Sequence, residues 1–243
     1  MYTVKLTIAY DGTGYSGWQI QKNGKTIQEE IEKAIEKVYG FRHRLLGASR
    51  TDAGVHAKGQ VAHFKAKTKI PYKSIPKALN TFLPAAIVIK NAAYVKDDFH
   101  AQYQAKKKTY HYYILNEKNR DPFNERYAWR VHHDLDINLM RKEIKALLGE
   151  HDFKSFQARD KKERTSVRTI YAAKISGKRD ICISLTGNGF LYNMVRNVVG
   201  TVVDIGRGYL PPDSMKNIID AKDRTKAGPT APPQGLVLIN IKY

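Results

Sequence analysis

The chain has 243 residues, of which 42% are hydrophobic and 27% are charged. A chain of this length and composition buries a sizeable core, in one large domain or two small ones. Its 42 lysines and arginines outnumber its 23 aspartates and glutamates, which gives a formal net charge of +19. Such a surplus of cations indicates a polyanionic partner, either a nucleic acid or an anionic lipid surface.

The sequence argues against a membrane-spanning protein and against a disulfide or a multi-cysteine zinc site. No stretch approaches the roughly 18 consecutive apolar residues of a spanning helix, and we expect a cytoplasmic protein without a leader segment. Cys182 is the only cysteine, which excludes an intramolecular disulfide and a multi-cysteine zinc site. The cations are spread along the chain, which favours nucleic acid over lipid as the partner. They include Arg42, Arg44, Lys106, Lys107, Lys108, Lys161, Lys162 and Arg164.

The first hundred residues combine strand and helix patterns. Tyr2–Tyr10 alternates in polarity and predicts a strand, which ends at the glycine-containing turn that follows. Thr26 and Glu29 have the spacing of a capping box, so a helix is predicted directly after Thr26. Its apolar face consists of Ile27, Ile31, Ala34, Ile35 and Val38. Further strands are predicted over Arg44–Ala48, Gly59–Lys67 and Ile87–Val95, and a short helix over Ser74–Leu83.

The second part of the chain continues the same mixture. Lys108–Asn116 predicts a strand with Tyr110, Tyr112 and Ile114 on one side. Apolar positions at helical spacing predict a helix that ends at Gly149. The other predictions are strands over Val167–Ser176, Asp180–Thr186 and Leu236–Tyr243, helices over Phe190–Ile205 and Pro212–Ala221, and a connecting segment over Asn116–Arg126.

The order of these elements predicts the fold class. Strands and helices do not alternate regularly, as a wholly parallel sheet requires, so we predict an α+β fold with a largely antiparallel sheet. We expect an N-terminal α+β half over residues 1–105 and a C-terminal α+β half over residues 106–243.

A glycine pattern near the N-terminus has two interpretations. Gly12-Thr-Gly14-Tyr-Ser-Gly17 matches the dinucleotide-binding pattern GxGxxG and follows a strand. In a nucleotide-binding fold the last glycine opens a helix, whereas here the helix is predicted only after Thr26. We therefore interpret the glycines as a turn that lets the backbone lie close to RNA or to another loop.

Metal and serine-hydrolase chemistry lack their usual patterns. His132 and His133 are adjacent, and the other histidines show no HExxH spacing, so no metal site is predicted. No serine lies in a GxSxG elbow, so no Ser/His/Asp triad is indicated. Acid–base chemistry on RNA is left as the main alternative to plain RNA binding.

Several blocks carry a more specific pattern. The segment Arg50-Thr-Asp-Ala-Gly-Val-His-Ala57 joins two predicted strands, and Tyr10-Asp-Gly-Thr-Gly-Tyr-Ser-Gly-Trp-Gln19 precedes it. Later blocks are Phe99-His-Ala101, Tyr110-His-Tyr112, Gly149-Glu-His-Asp-Phe153, Asn193-Met-Val-Arg-Asn197 with Gly200, and Ala231-Pro-Pro233 before Gly235-Leu236. Taken in order, they resemble the TruA family of tRNA pseudouridine synthases along nearly the whole chain.

The resemblance implies a fold, a substrate and an assembly. The fold would be the pseudouridine synthase fold, with two ferredoxin-like halves whose largely antiparallel sheets join around a central cleft, and the protein would be a homodimer. Residues 1–105 would carry the catalytic aspartate loop, and residues 106–243 would complete the cleft. The substrate would be uridine at positions 38, 39 and 40 in the anticodon arm of tRNA. The isomerisation requires no redox cofactor, ATP or metal.

The resemblance also assigns catalytic roles to three residues. Asp52 falls on the catalytic aspartate, Arg196 on the arginine that pairs with it, and Tyr110 on the active-site tyrosine. An arginine beside Asp52 would favour the ionised carboxylate, and Arg196 lies in an apolar run where a charge needs a partner. Tyr110 would stack on the uracil and relay its C5 proton. Considered alone, Asp52 is typical of a turn and Tyr110 of a sheet core.

Arg50 and a run of lysines are the predicted RNA contacts. Positions 39 and 40 lie in a paired stem, so the target base must leave its stack, and Arg50 resembles the arginine that holds this opened state. A phosphate contact is the simpler interpretation of Arg50. Lys106, Lys107 and Lys108 would contact the RNA backbone, and His56 would shape the loop.

Three departures and two rival functions complete the sequence-based predictions. Ser49 stands where the family commonly has glycine, Gln102 where it has arginine and Gln234 where it has histidine. None of these coincides with Asp52 or Tyr110, so they bear on loop geometry and target choice more than on the chemistry. The rivals are an RNA-binding protein without catalysis and a nuclease, which would need clustered acidic metal ligands.

Overall fold

The structure, a computed structural model, describes residues 1–159 and 165–243. The cations Lys161, Lys162 and Arg164 lie outside the described residues. The chain forms two compact units: unit 1 consists of Met1–Lys106 and Val237–Tyr243, and unit 2 of Lys107–Leu236. The structure thus groups the last strand with unit 1, whereas the predicted division placed it in the C-terminal half. The reason is pairing between residues distant in sequence, since Val237 and Leu238 pair in parallel with His56 and Ala57.

Unit 1 is a sheet with two helices. Strand β1 (Tyr2–Tyr10) pairs antiparallel with both β3 (His56–Ala66) and β4 (Ile87–Val95). The short β2 (Leu46–Gly47) and the final strand, β10 (Leu236–Lys242), also pair with β3. The helices are α1 (Ile27–Tyr39) and α2 (Ile75–Asn80).

Helix α1 follows its sequence signals. The side chain of Thr26 accepts a hydrogen bond from the backbone N–H of Glu29, which satisfies one of the unpaired donors of the first turn. Gly40, with φ 76°, ends the helix in the left-handed conformation. Ile27, Ile31 and Ile35 on the predicted face are fully buried.

Two strand predictions in unit 1 were wrong in their bounds. Strand β3 begins at His56 rather than Gly59, because Tyr10 at the end of β1 pairs with Ala57. Residues 44 and 45 are not in a strand. Both backbone groups of Leu45 bond to side chains of α1 instead, its N–H to Glu32 and its carbonyl to Gln28. Side chains of the helix therefore replace a neighbouring strand.

Unit 2 contains a second antiparallel sheet. Its strands are ordered β5 (Lys107–Asn116), β9 (Asp180–Gly187), β8 (Val167–Ser176) and β7 (Gly149–Asp152), and β6 (Trp129–Val131) pairs in parallel with β5. The helices are α3 (Ile137–Glu143), α4 (Met194–Gly206) and α5 (Ser214–Ala221). Short 3-10 turns cover Ile144–Leu147, Lys154–Phe156, Arg224–Lys226 and Pro233–Gly235.

The predictions for unit 2 also differ from the structure at several ends. Helix α4 begins at Met194 rather than Phe190, because Asn193 has a left-handed backbone with φ 58°. The predicted helix before Gly149 becomes a 3-10 turn after Glu143. Strands β6 and β7 were not predicted; such short strands form through pairing with β5 and β8, which local polarity does not reveal.

The α+β class with a largely antiparallel sheet is confirmed. Every strand pair named above is antiparallel except the contacts of β10 with β3 and of β6 with β5. Among the residues that the structure describes, none of the helices has the length and apolar character needed to cross a membrane.

A buried histidine attaches the Phe99-His-Ala101 block to the sheet of unit 1. His63 on β3 is 4% exposed, and its Nδ1 accepts a hydrogen bond from the N–H of Ala101 at 3.2 Å. Burial lowers the pKa of His63 to about 4, and the neighbouring charge of His100 acts in the same direction. The neutral imidazole is therefore the form that the fold accepts.

This burial predicts a specific pH dependence of stability. The folded pKa of His63 lies below its unfolded value, so its contribution is complete above pH 6.5 and is lost as pH falls towards 4. We expect the wild type to lose on the order of 2 kcal/mol from this residue between pH 6.5 and pH 5. His63→Asn keeps an acceptor near Ala101 but does not titrate. The stability difference between wild type and variant, from urea unfolding, should shrink between pH 7 and pH 5; an unchanged difference would contradict the prediction.

Candidate active site

Asp52 lies in a turn of unit 1 whose backbone is held on both sides. The carbonyl of Thr51 accepts a hydrogen bond from the N–H of Trp18 at 3.0 Å, and the carbonyl of Asp52 accepts one from Val55 at 3.2 Å. The hydroxyls of Thr51 and Tyr10 share a hydrogen bond of 2.7 Å in the core. Asp52 itself is half-buried. The turn is therefore anchored to the end of β1 and to the loop that follows it.

The glycines of the GxGxxG pattern let this loop pack against the Asp52 turn. A Cβ atom on Gly12 would lie 2.1 Å from the carbonyl oxygen of Val55, and one on Gly17 would lie 2.7 Å from that of Thr51. Gly17 also has φ +90°, a conformation that side chains disfavour. The pattern therefore serves contact between two loops, which is one of the two roles that we predicted for the turn.

His56 connects the same two loops. Its ring is buried at the start of β3, and Nδ1 accepts a hydrogen bond from the N–H of Gly12 at 3.0 Å. The carboxylate of Asp11 lies 3.1 Å from the same nitrogen. These contacts agree with the predicted role of His56 in shaping the loop.

A buried glutamine fixes the backbone before Arg50. The side-chain amide of Gln60 accepts a hydrogen bond from the N–H of Ser49 at 3.2 Å and donates one to its carbonyl at 2.8 Å. Ser49 has no positive φ, so serine in place of the family's glycine introduces no backbone strain. The side chain of Arg50 is exposed, as a contact to RNA requires.

Tyr110 lies in unit 2, on the face of β5 that also carries Tyr112. Its ring meets the edge of Phe190 at a centroid distance of 5.1 Å and an angle of 83°. The hydroxyl of Tyr112 donates a hydrogen bond of 2.7 Å to the carbonyl of Pro232. Burial raises the pKa of Tyr112, and the positive charge of Arg196 opposes this shift. Tyr112 and Arg196 are therefore electrostatic neighbours within unit 2.

Arg196 lies in the first turn of α4 and is oriented by neutral acceptors. Its Nε donates a hydrogen bond of 2.7 Å to the carbonyl of Ala231, and Nη1 donates one of 3.2 Å to the amide oxygen of Asn193. The left-handed backbone of Asn193 is one that asparagine tolerates better than most residues. Both bonds fix the plane of the guanidinium without placing a negative charge on it.

The predicted RNA-contacting lysines have different surroundings. Lys106 and Lys107 are exposed, and Nζ of Lys107 lies 4.8 Å from the ring centre of Tyr171. Lys108 points to the face of β5 opposite to that of Lys107. Burial, and to a smaller extent the charge of Arg168, lowers the pKa of Lys108 to about 8. Lys108 is therefore a cation in a crowded cationic environment.

Sequence comparison identifies the family. A profile described as tRNA pseudouridine synthase matches residues 6–104 and 144–243. A protein from Thermoanaerobacter sp. (strain X514), named tRNA pseudouridine synthase A, is 50% identical over 244 residues, with 100% of both chains covered. The chain belongs to the tRNA pseudouridine synthase family. Proteins of the same name from Ruminiclostridium cellulolyticum and Caldicellulosiruptor bescii are 48% and 47% identical, again with 100% of both chains covered.

Membership of the family confirms the predicted reaction class. The protein is an isomerase that acts on uridine in tRNA. Within the ranges 1–159 and 165–243, no group of three or more His, Cys, Asp or Glu side chains is arranged to hold a metal ion.

The predicted site residues of this synthase are divided between the two units. Asp52, Arg50 and Lys106 belong to unit 1, and Tyr110, Lys107, Lys108 and Arg196 belong to unit 2. Sequence reasoning did not identify Gln60, Asn197 or Arg224, whose side chains bond to the backbone of Ser49, Phe156 and Gly228 respectively. Asn197 was visible only as a member of a motif block. Gln60 and Arg224 carried no local signal, because their partners lie elsewhere in the sequence.

The contact between Gly12 and Val55 predicts a loss of activity in a synthase with a side chain at residue 12. In Gly12→Ala the Asp52 turn must move, and we expect kcat for pseudouridine formation to fall about 10- to 100-fold. Gly14→Ala is the matched control, because no atom lies within 4 Å of a Cβ there although φ is +75°. It should lose about 1 kcal/mol of stability but keep its kcat. Equal kcat values for the two variants would contradict this account of the glycines.

Proposed function

We propose that this chain converts uridines 38, 39 and 40 in the anticodon stem-loop of tRNA to pseudouridine, with Asp52 as the catalytic carboxylate. The observation that carries this proposal is the anchored turn on which Asp52 lies, because hydrogen bonds on both sides limit its movement. A carboxylate with a fixed backbone can be aimed at a reacting carbon with little entropic cost. The motif that resembles the family's catalytic segment supports the same residue.

The reaction requires a carboxylate but no net oxidant. The N1–C1′ bond breaks, the uracil turns, and a C5–C1′ bond forms; N1 gains a proton and C5 loses one. Asp52 would act in its ionised form, by attack on the sugar, by addition to the base or by removal of a sugar proton. Each route uses the same negative charge at the same place.

Arg196 is proposed to pair with Asp52 and keep it ionised. A guanidinium retains its proton at any pH at which the protein is folded, so it would favour the charged carboxylate throughout the working range. The neutral oxygens of Ala231 and Asn193 orient Arg196 but do not cancel its charge. These two bonds would set the direction of the guanidinium that is proposed to pair with Asp52.

Tyr110 is proposed to stack on the extruded uracil and to relay the proton that leaves C5. A phenol can give and receive a proton, and an aromatic ring offers a face for a base. The edge contact with Phe190 and the position on β5 hold the ring in one orientation. A ring so held would lose little conformational entropy when it binds the base.

Arg50 is proposed to hold the opened RNA after the target base leaves its stack. Its side chain is exposed, while the backbone of the preceding Ser49 is bonded at both groups to Gln60. A long charged side chain on a fixed backbone suits this role, because the base must be extruded before a carboxylate can reach its sugar.

The charge of the chain suits a large RNA substrate. A formal net charge of +19 attracts RNA from every direction, and phosphate contacts supply affinity without base specificity. Lys106, Lys107 and Lys108 are proposed to lie on the RNA path. The resemblance also supports a homodimer that works in the cytoplasm, and light scattering after gel filtration would measure a mass near twice the 27.7 kDa of one chain.

The proposed RNA contact of Lys107 predicts a change in affinity rather than in rate. Lys107→Ala should raise KM while kcat stays unchanged, and the slope of log affinity against log salt should fall by about one. Lys33→Ala is the control, because Lys33 pairs with Glu29 and Glu30 on α1 and should leave the slope unchanged. Equal slopes for Lys107→Ala and the wild type would place this lysine off the RNA path.

The decisive experiment concerns Asp52. Wild type, Asp52→Asn and Asp52→Ala are incubated with a tRNA transcript, without metal or nucleotide, and pseudouridine is mapped along the anticodon arm. We expect modification at positions 38 to 40 by the wild type and a rate loss of at least about 10⁴-fold in both variants, comparable with the loss of a catalytic nucleophile. Tight tRNA binding should persist.

A control variant at another carboxylate distinguishes the loss of one negative charge from the loss of the catalytic group. Asp98→Asn removes one exposed carboxylate from unit 1 and should retain wild-type activity. Modification at other tRNA positions would refute the proposed target, and an active Asp52→Ala would refute the proposed carboxylate. Binding without modification by the wild type would favour the RNA-binding rival.

A further inference from the structure

Residues 227–231 of unit 2 lie directly against the backbone of α4. A Cβ atom on Gly200 would lie 1.7 Å from the carbonyl oxygen of Pro229, and one on Gly228 would lie 2.8 Å from Cα of Thr201. The N–H of Gly228 also donates a hydrogen bond of 2.9 Å to the hydroxyl of Thr201. No side chain separates the 227–231 segment from the helix at these points.

The end of this segment contacts Arg196. The N–H of Ala231 donates to the carbonyl of Arg196 at 3.1 Å, and Nε of Arg196 donates to the carbonyl of Ala231 at 2.7 Å. The backbone and the guanidinium of one arginine are thus both bonded to one residue of the segment. A shift of the 227–231 segment along α4 would therefore rotate the guanidinium.

Arg224 joins the 227–231 segment to α4. Its Nη1 donates to the carbonyls of Ala227 at 3.2 Å and Gly228 at 3.0 Å, and its Nη2 donates to the amide oxygen of Asn197 at 3.1 Å and to the hydroxyl of Thr230 at 3.4 Å. Arg224 is half-buried, and burial lowers its pKa. These four acceptors are neutral, so the bonds serve position rather than charge neutralisation.

Asn197 provides the fixed point of this network. It is fully buried in α4, and its Nδ2 donates a hydrogen bond of 2.8 Å to the carbonyl of Phe156. Its Oδ1 accepts from both Arg224 and the hydroxyl of Thr230, the latter at 2.6 Å. One amide therefore orients two side chains that hold the segment.

We propose that Arg224 and Asn197 are positioning residues for Arg196, because they hold the 227–231 segment against α4 and so place the carbonyl of Ala231 that orients the guanidinium. This inference rests on the proposed role of Arg196 at the reacting uridine. A displaced guanidinium would stabilise the transition state less, whereas the rest of the tRNA would still bind. We therefore expect the loss of positioning to lower kcat and to leave KM nearly unchanged.

The test replaces Arg224 with an apolar residue of similar length. Arg224→Met removes all four hydrogen bonds, and we expect kcat to fall about 10- to 100-fold, as for a displacement near 1 Å. KM for tRNA should change by less than about twofold, since ground-state binding is not altered.

Arg141→Met is the matched control in the same unit. Arg141 is also half-buried, and its guanidinium donates to the backbone carbonyls of Ile175 at 3.1 Å and Gly177 at 2.9 Å. The variant therefore loses bonds to backbone carbonyls at the end of β8 rather than at the 227–231 segment. We expect wild-type kcat and a comparable loss of thermal stability.

A double-mutant cycle shows whether Arg224 acts through Arg196. Arg196→Lys keeps the charge but loses the Nε bond to Ala231, and it should be slow by itself. Adding Arg224→Met to Arg196→Lys should then cause no further loss of kcat, because coupled residues are not additive. If Arg224→Met does not fold, as judged by circular dichroism, Thr230→Val enters the same cycle, since it removes the 2.6 Å bond to Asn197.

The outcomes separate this inference from the proposed function. Additive losses, a change confined to KM, or a kcat equal to that of Arg141→Met would overturn the positioning role. A wild-type kcat in Arg196→Lys would overturn the role of Arg196 and this inference with it. A slow Arg196→Lys combined with a fast Arg224→Met would refute the positioning role alone.

Discussion

The carbonyl oxygen of Val55 lies only 2.1 Å from the place that a Cβ atom on Gly12 would occupy, and the carbonyl of Thr51 comes similarly close to Gly17. Backbone atoms have few alternative positions, so a contact between two backbones sets their separation more strictly than a contact between side chains does. The Asp52 turn lies between these two contacts. Its location in unit 1 is therefore a consequence of two missing side chains on a neighbouring loop, together with the buried hydroxyl pair of Tyr10 and Thr51.

In unit 2, a close contact between a glycine and a backbone carbonyl likewise positions the surroundings of Arg196. The absence of a side chain at Gly200 lets the carbonyl of Pro229 approach α4, and the next turn of chain brings the carbonyl of Ala231 to the guanidinium. A carboxylate at this position would orient Arg196 equally well but would neutralise it. Carbonyl and amide oxygens provide direction without charge, which suits an arginine whose proposed task is to favour an ionised aspartate.

Lys108 shows the electrostatic cost of burying a cation in a basic chain. Lys108 has its pKa lowered to about 8 by burial and by Arg168, so part of its charge is lost near neutral pH. Phosphate groups near this lysine would reverse the effect, because a negative neighbour favours the protonated amine. The formal charge of +19 therefore has two consequences: the free protein bears repulsion between its cations, and bound RNA relieves it.

Much of this protein follows from local sequence patterns. The bounds of β1, β4 and β8 agree with their polarity patterns, the capping box starts α1, and the motif blocks identify the family and nominate Asp52 and Arg196. These signals are local because alternation, capping and a motif each involve neighbouring residues. The short strands β6 and β7 have no such signal, since they exist only through their pairing partners.

The tertiary structure alone decided which distant residues support the site. Arg224 reaches Asn197 across 27 positions, Gln60 reaches Ser49 across 11, and Gly12 meets His56 across 44. In each case a side chain bonds to a group on a segment that the sequence does not place beside it. The sequence by itself determined which reactive side chains are present, because residue types and motifs can be read from it directly. Only the tertiary structure decided which other residues position those side chains, because hydrogen bonds and close contacts depend on distance in space.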